Sequence, residues 1–218
     1  MKIAIMGGSF NPLHNGHAML AETVAKELGY DKILFIPTNI PPHKVINEEI
    51  TPEQRLEMLK SFCKQSNGLF EVEDCEIKRG GISYTSDTVK FILEKYKNEL
   101  SGKIGLIMGE EIAAEFHKWY NVEFLAENCH LIISPRIKDY DEDENVSKNK
   151  PSGNFHGDFS TKFDKNNFPY DFTLLSSPML PISSTQIRER VKNGRSFQYL
   201  VPQSIFEYID EYELYRKN

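Results

Sequence analysis

The stretch Met1-Lys-Ile-Ala-Ile-Met-Gly-Gly-Ser-Phe-Asn-Pro-Leu-His-Asn-Gly-His17 decides the fold of this chain. Its apolar run, Lys2 to Met6, predicts a short buried strand that breaks at Gly7-Gly8. After a tight loop, His14-x-Gly-His17 opens a segment with helical periodicity. A strand, a glycine turn and a helix N-terminus together bind phosphate well, because unpaired backbone N–H groups and the helix dipole face the anion.

The two histidines of this stretch are spaced to act together. Side chains three residues apart on a helix lie on the same face, so His14 and His17 are predicted to reach one ligand. Metal ligation and ordinary core or surface histidines are the alternatives, although neither a His-Glu-x-x-His pattern nor a nearby cysteine pair accompanies the motif. The dinucleotide fingerprint G-x-G-x-x-G does not fit either. The sequence therefore predicts a phosphate site that contains two histidines.

Length and composition predict one globular domain over residues 1–218. Hydrophobic residues make up 39% of the chain, and no apolar run approaches the ~18 residues that a membrane span needs. The N-terminus lacks the layout of a signal peptide. Cys63, Cys75 and Cys129 lie in apolar segments, which indicates buried free thiols and a cytoplasmic location. Because the formal net charge is −6, neither nucleic acid nor a membrane is an expected partner.

Strand and helix patterns alternate along the next part of the chain. Further strands are predicted at Lys32–Pro37, Leu69–Cys75, Lys103–Gly109 and His130–Ser134. Helices are predicted from Thr51-Pro-Glu-Gln54, with Leu56, Leu59, Phe62 and Cys63 as its apolar stripe, and over Thr85–Leu100, with Val89, Ile92, Leu93 and Tyr96 inward. This alternation predicts an α/β fold, a doubly wound, Rossmann-like parallel sheet of five or more strands flanked by helices. Ligands of such sheets bind at the carboxyl ends of the strands, where Gly7, Pro37 and Gly109 lie.

Residues 136–170 interrupt the alternation. They contain the acidic run Asp139-Tyr-Asp-Glu-Asp-Glu144, followed by a tract rich in Lys, Asn, Ser, Gly and Phe. We interpret this segment as a polar insertion in the domain, with a solvated loop as the default structure. A lid or a partner-binding arm is the alternative.

A second helix start lies near the other end of the chain, in Pro181-Ile-Ser-Ser-Thr-Gln-Ile-Arg-Glu-Arg190. Ser183 and Gln186 have the spacing of a capping box, so backbone N–H groups are again available at a helix N-terminus. Arg188, one turn into this helix, is predicted to bring a guanidinium to the same end. Residues 183–218 are predicted to form a small helical C-terminal part.

Both helix-start motifs resemble signatures of one superfamily. The N-terminal motif resembles G-G-[ST]-F-[DN]-P-x-H-x-G-H, the HxGH signature of the nucleotidyltransferases. The C-terminal motif resembles I-S-[SA]-T-x-I-R-x-R, the second signature of that superfamily, which there grips the phosphates of ATP.

Three middle segments narrow the resemblance to one family. Pro41-Pro-His-Lys44 follows the second strand, and Arg79-Gly-Gly-Ile-Ser-Tyr-Thr-Ser-Asp-Thr88 resembles the R-x-x-x-S-Y-T-x-x-T segment that recognises a pyridine nucleotide. Trp119, in His117-Lys-Trp-Tyr120, stands where the family places an aromatic residue that stacks on the pyridine ring. With order and spacing kept over nearly the whole chain outside 136–170, the sequence resembles the bacterial nicotinate-nucleotide adenylyltransferases.

The resemblance implies an enzyme that transfers AMP from ATP to nicotinate mononucleotide. The products are nicotinate adenine dinucleotide (deamido-NAD) and pyrophosphate, in NAD biosynthesis, with Mg²⁺ entering as the ATP complex and no dedicated metal ligands. The implied catalytic residues are His14, His17 and Arg188. The implied ATP-binding residues are Gly7, Gly8, Ser9, Phe10, His14, His17, Gly109, Glu111, Ile182, Ser183, Ser184, Thr185 and Arg188. The implied residues for nicotinate mononucleotide are Ser9, Lys44, Tyr84, Thr85, Trp119 and Arg136.

The sequence departs from the family pattern at two residues and in the length of the 136–170 insertion. Asn11 stands where many relatives have Asp, and Glu111 stands where Gly-x-Asp is usual. Adenylyl transfer to nicotinamide mononucleotide or to phosphopantetheine is an alternative function, although Ser83-Tyr-Thr85 and Trp119 speak against pantetheine. A non-catalytic nucleotide-sensing module is an alternative of another class, but neither histidine nor the arginine is lost. The oligomeric state is left open, a homo-oligomer included.

Overall fold

The computed structural model describes residues 1–42, 50–135, 163–176 and 180–216. Two residues expected in the site, Lys44 and Arg136, lie outside the described residues, as does 136–162 of the predicted insertion. Within the described ranges, none of the helices has both the length and the hydrophobicity that crossing a bilayer requires.

A parallel β-sheet is the centre of the fold. Its six strands are β1 (Ile3–Gly8), β2 (Lys32–Pro37), β3 (Phe70–Val72), β4 (Ile104–Gly109), β5 (Cys129–Ser134) and β6 (Phe172–Leu174). They pair in parallel in the order β3-β2-β1-β4-β5-β6. The order changes direction between β1 and β4, and the carboxyl ends on either side of that point form the ligand crevice of doubly wound sheets. The predicted fold class is confirmed.

Helices connect the strands and follow the last of them. They are α1 (Asn15–Leu28), α2 (Pro52–Cys63), α3 (Cys75–Arg79), α4 (Thr85–Lys95), α5 (Glu110–Ala114), α6 (Val122–Asn128), α7 (Ser184–Lys192) and α8 (Gln203–Glu211). Short 3-10 turns lie at Lys64–Ser66, Phe116–Lys118 and Gln198–Leu200. The predicted capping boxes of α2 and α7 are both present.

The core has two layers, one on each face of the sheet. Successive strand residues point to opposite faces, so Ala4 and Met6 of β1 pack with α1, α2, α7 and α8. Ile3 and Ile5 pack on the other face, with α4, α5 and α6. At the carboxyl edge of the sheet, between the two layers, the strand ends meet the helix starts.

The three cysteines lie in these layers as free thiols, as predicted. Cys63, Cys75 and Cys129 are buried, and none forms a disulfide. Burial raises the pKa of each thiol to about 12.

Two predicted elements are clearly shorter in the structure, and one strand was not predicted. The strand predicted over Leu69–Cys75 is limited to Phe70–Val72, because Cys75 begins the one-turn helix α3. The helix predicted to reach Leu100 ends at Lys95, because the C-cap residue Tyr96 leaves the helical conformation, with φ −108° and ψ 17°. The three-residue strand β6 carries no period long enough to be recognised.

The end of the predicted insertion is packed, unlike a solvated loop. Phe163, Phe168 and Tyr170 form edge-on ring contacts, with centroids 5.2 and 5.3 Å apart. Tyr170 also meets the buried ring of Phe116 at 5.1 Å. This aromatic cluster attaches 163–170 to the core layer of α5 and α6, because aromatic rings bury a large area even in a polar stretch.

Candidate active site

The two histidines of the first motif lie together at the start of α1. His14 is the N-cap residue of this helix, and the ring centroids of His14 and His17 are 3.7 Å apart. The backbone N–H of His14 donates to Nδ1 of His17 at 3.3 Å. The spacing in the sequence therefore predicts the observed pairing of the rings.

Gly16 is glycine because the His14 ring lies over it. A Cβ at this position would stand 3.1 Å from Nδ1 of His14 and 3.6 Å from the carbonyl oxygen of Leu180. On the other side, the ring of Phe10 meets His17 edge-on with centroids 5.3 Å apart. Phe10 is buried with a backbone φ of 45°, so its side chain supports the histidines from the core.

Both imidazoles are neutral at pH 7. Burial lowers the pKa of His14 to about 4. Burial, and then the charge of His14, lower the pKa of His17 well below its ordinary value. Because Nδ1 of His17 accepts a hydrogen bond, its single proton sits on Nε2 and can be donated to a ligand.

The second motif is attached directly to the loop of the first. Ser183 caps α7 by accepting from the N–H of Gln186 at 3.2 Å. The hydroxyl of Ser184 donates to the carbonyl of Pro12 at 2.8 Å, and Arg188 Nη1 donates to the carbonyl of Asn11 at 2.7 Å. The two motifs, far apart in sequence, are thus joined into one site.

The remaining hydroxyl of the second motif is exposed at the start of α7. Thr185 Oγ1 accepts from Arg188 Nη2 at 3.2 Å. Of the three hydroxyls of this motif, Ser184 donates its proton to Pro12, whereas Ser183 and Thr185 act as acceptors in these bonds. The bonds of Arg188 to Asn11 and Thr185 engage two of the five N–H donors that a guanidinium carries.

Two buried residues outside the predicted site support the same loop from below. Arg55, fully buried in α2, donates through Nη1 to the carbonyls of Ser9 and Thr38, at 2.9 and 2.8 Å. The buried phenol of Tyr215 donates to Oδ1 of Asn11 at 2.7 Å. Arg55 lies four residues before Leu59 and therefore on the apolar stripe of α2. A cation at such a position is the signal from which its burial could have been predicted.

A third helix start, that of α4, faces the same edge of the sheet as the starts of α1 and α7. Tyr84 is its N-cap residue and Thr85 its first residue, and both are half-buried. The ring of Tyr84 lies 4.9 Å from that of the exposed Tyr120. Trp119 is half-buried and packs on Phe116 at 5.3 Å, so Tyr120 is the aromatic neighbour of this helix start, which sequence reasoning missed.

The remaining predicted residues have different surroundings. Gly7 and Gly8 end β1, and the N–H of Thr38 donates to the Gly8 carbonyl at 2.9 Å. Gly109 ends β4 and is the N-cap residue of α5, where Glu111 is half-buried. Ile182 packs against the core beneath α7. The site also lacks, among the described residues, a group of His, Cys, Asp or Glu side chains that could hold a metal.

Comparison with known proteins places the chain among the nucleotidyltransferases. The family model described as cytidylyltransferase-like matches residues 5–190. The chain is 36% identical over 216 residues to a Treponema pallidum protein named "Probable nicotinate-nucleotide adenylyltransferase", covering 99% of the chain and 100% of the relative. A protein of the same name from Desulfitobacterium hafniense is 38% identical, covering 99% of the chain and 96% of the relative.

Solved structures of low identity share the fold. The nicotinic acid mononucleotide adenylyltransferase of Plasmodium falciparum, complexed with NaAD, superposes with a TM-score of 0.70 at 20% identity, over 98% of this chain and 97% of that one. This shared fold is consistent with the family model and the full-length relatives, and with the position of the two signature motifs around β1. The chain belongs to the cytidylyltransferase-like family and, within it, to the nicotinate-nucleotide adenylyltransferases.

Proposed function

We propose that this protein is an enzyme that transfers AMP from ATP to nicotinate mononucleotide, forming nicotinate adenine dinucleotide and pyrophosphate. One observation carries the proposal. The N-termini of α1 and α7, which are of the kind that binds phosphate, are joined by the hydrogen bonds of Arg188 and Ser184 to the loop after β1. The chain also matches full-length relatives that bear this activity in their names.

Positioning and charge stabilisation are enough for this chemistry. The nucleophile is a phosphate monoester, whose second pKa is about 6, so it is ionised near neutrality without a general base. The negative charge that develops on the departing pyrophosphate needs donors that are already in place. In our proposal Nε2–H of His17 and the guanidinium of Arg188 supply them, with His14 and the backbone N–H groups of Gly8 and Ser9 binding the triphosphate.

The start of α4 is proposed to recognise the acceptor. The first N–H groups of a helix have no partner within it and favour an anion, and Thr85 adds a hydroxyl donor there. A nicotinate carboxylate is acceptor-only and fits these donors, whereas an amide would turn its own NH₂ toward them. Tyr84, Trp119 and Tyr120 form the aromatic surroundings of this end of the site.

The proposed ligands are small nucleotides, without nucleic acid or a membrane as partner. ATP is taken up as its Mg²⁺ complex, in which the ion neutralises part of the triphosphate charge and keeps several waters. Lys44 and Arg136 are proposed to contact the mononucleotide phosphate or ring, and Glu111 the adenosine. We place the reaction in the cytoplasm, in keeping with three free thiols.

A direct assay tests the proposal. The protein is incubated with ATP, Mg²⁺ and, in separate reactions, nicotinate mononucleotide, nicotinamide mononucleotide or phosphopantetheine, and the products are separated by chromatography. We expect nicotinate adenine dinucleotide to form fastest. Faster adenylylation of either other acceptor would transfer the function to that substrate, and no product from any of them would favour a sensing module.

A further inference from the structure

A buried glutamate lies beneath the start of α4. Glu76, in α3, is 5% exposed, and its Oε1 accepts a hydrogen bond from Thr88 Oγ1 at 2.7 Å. Burial raises the pKa of this carboxyl, and the hydroxyls of Thr88 and Ser83 beside it oppose that rise. Ser83 and Thr88 stand on the two sides of Tyr84 and Thr85, so the carboxylate lies beneath the helix start and is bonded to it through Thr88.

Each of these hydroxyls has its direction fixed by a second partner. Ser83 Oγ accepts from the backbone N–H of Asn39 at 3.1 Å, and Thr88 Oγ1 accepts from Arg79 Nη2 at 3.2 Å. Because Thr88 Oγ1 already accepts from Arg79, its own proton is directed to Glu76 Oε1 at 2.7 Å, with the Tyr84 carbonyl as a more distant acceptor at 3.4 Å.

The same network fastens the loop to the neighbouring strand end. Asn39 Nδ2 donates to the Gly81 carbonyl at 2.9 Å, and the N–H of Ser83 donates to the Ile40 carbonyl at 2.8 Å. Three hydrogen bonds therefore tie the segment that follows β2 to the loop before α4. A shift of Glu76 would change where the first N–H groups of α4 point.

We propose that Glu76 is a positioning residue for the acceptor, which aims the start of α4 at the carboxylate of the mononucleotide through its bond to Thr88, with Ser83 beside it. The proposal rests on the function proposed above and concerns the same site. Glu76 acts through these hydroxyls and not by touching the substrate, since its side chain is buried. Arg79, next to Thr88, is the cation that faces the carboxylate and offsets its charge.

Glu73 offers a matched control three residues earlier. It is also 5% exposed, but it bonds to Lys95 Nζ at 2.5 Å and to the N–H of Cys75 at 3.1 Å. Glu76→Gln and Glu73→Gln each change one buried carboxylate to an amide, in the same part of the fold. Only the first of the two touches the residues on either side of Thr85.

The experiment measures KM for each substrate, kcat and the melting temperature for wild type and both variants. We expect Glu76→Gln to raise KM for nicotinate mononucleotide about tenfold, the scale of one lost charge-assisted hydrogen bond, with KM for ATP within about twofold. Glu73→Gln should lower the melting temperature comparably and leave both KM values near wild type. Equal KM changes in the two variants, or a Glu76→Gln change shared by ATP, would overturn the proposal.

Thr88 gives a second test if Glu76→Gln does not fold. Thr88→Val should raise KM for nicotinate mononucleotide, and Thr88→Ser, which keeps the hydroxyl, should restore it. The same rise in both variants would contradict a role through the hydroxyl. If wild type makes no dinucleotide from nicotinate mononucleotide, the proposed function fails and this proposal with it. If wild type does make it and neither Glu76→Gln nor Thr88→Val changes KM, only the positioning role fails.

Discussion

At the scale of single residues, His17 combines a half-buried ring with one proton in a known place. The His14 N–H holds Nδ1, so Nε2 is the donor, and no rotation or deprotonation is needed when charge develops on a phosphate. The neutral ring also avoids a permanent cation beside His14. A donor of this kind is suited to stabilise the charge that develops in the transition state more than it binds the ground state.

Replacing His17 by Ala should therefore reduce kcat by ~10²–10³, the usual effect of removing one preorganised donor. The melting temperature should fall by only a few degrees, because the ring packs on His14 and Phe10 and the rest of the core is untouched. His17→Gln, which keeps an N–H donor near the position of Nε2, is the matched variant and should recover part of kcat. Near-normal turnover by a folded His17→Ala protein would remove His17 from the mechanism.

Tyr215 fastens the other end of the chain to the loop after β1. Its phenol donates a hydrogen bond to Asn11 Oδ1, and both residues are buried. Tyr215→Phe removes that donor and should lower the free energy of unfolding by about 1–3 kcal/mol. It should also raise KM for ATP, because the carbonyl of Asn11 holds Arg188.

The control is Tyr212→Phe, which removes an exposed phenol near the same helix end. Urea unfolding and ATP kinetics are measured on both variants. A Tyr215→Phe protein as stable as Tyr212→Phe, with an unchanged KM for ATP, would show that the bond to Asn11 contributes neither stability nor loop geometry.

At the scale of helices and strands, the parts with a strong local signal were predictable. The start of α2 is an example, since Thr51 and Gln54 bond reciprocally, at 3.2 and 2.8 Å, as the capping-box spacing predicts. β2 was predicted with its observed bounds, because its apolar run is long and ends at Pro37. The two signature motifs were predictable as helix starts because each also carries its signal within a few consecutive residues.

The parts that depend on distant contacts were not predictable. Arg55 is buried because two carbonyls from other segments accept from it, and no local pattern shows those partners. β6 exists because β5 offers a free edge, with Leu131 opposite Phe172. Glu76 reads as one charge in a polar helix, and its partners Ser83 and Thr88 become visible only when α3 and α4 are folded.

In the function proposed above, acceptor choice would depend on the start of α4. A nicotinamide ring would leave a donor unpaired or face NH₂ against N–H, at a cost of about 1–3 kcal/mol per group. We expect kcat/KM to favour nicotinate over nicotinamide mononucleotide by at least ~10²-fold. Thr85→Val should reduce that ratio about tenfold, whereas Thr85→Ser should keep it. Equal rates of wild type with the two mononucleotides would contradict acid selectivity and leave adenylyl transfer in place.

At the scale of the whole molecule, stability is linked to pH through the buried histidines. The folded protein keeps His14 neutral down to a pKa of about 4, and the pKa of His17 is also shifted down. An unfolded histidine has a pKa of ~6.5, so between these values the unfolded state binds more protons than the folded state. The stability should therefore be fully present above about pH 6.5 and should be lost progressively as the pH falls toward about 4.

His14→Asn tests this linkage, because it removes one of the two titrating rings while leaving a polar residue at the N-cap position of α1. The melting temperature is measured from about pH 7 to about pH 4.5 for wild type, His14→Asn and His117→Asn, the last of which removes an exposed histidine. Wild type and His117→Asn should share the steeper loss on acidification, and His14→Asn should lose less, since one site of excess proton uptake by the unfolded chain is gone. Parallel curves for all three proteins would mean that carboxylates, and not the paired imidazoles of His14 and His17, set the acid limit of this fold.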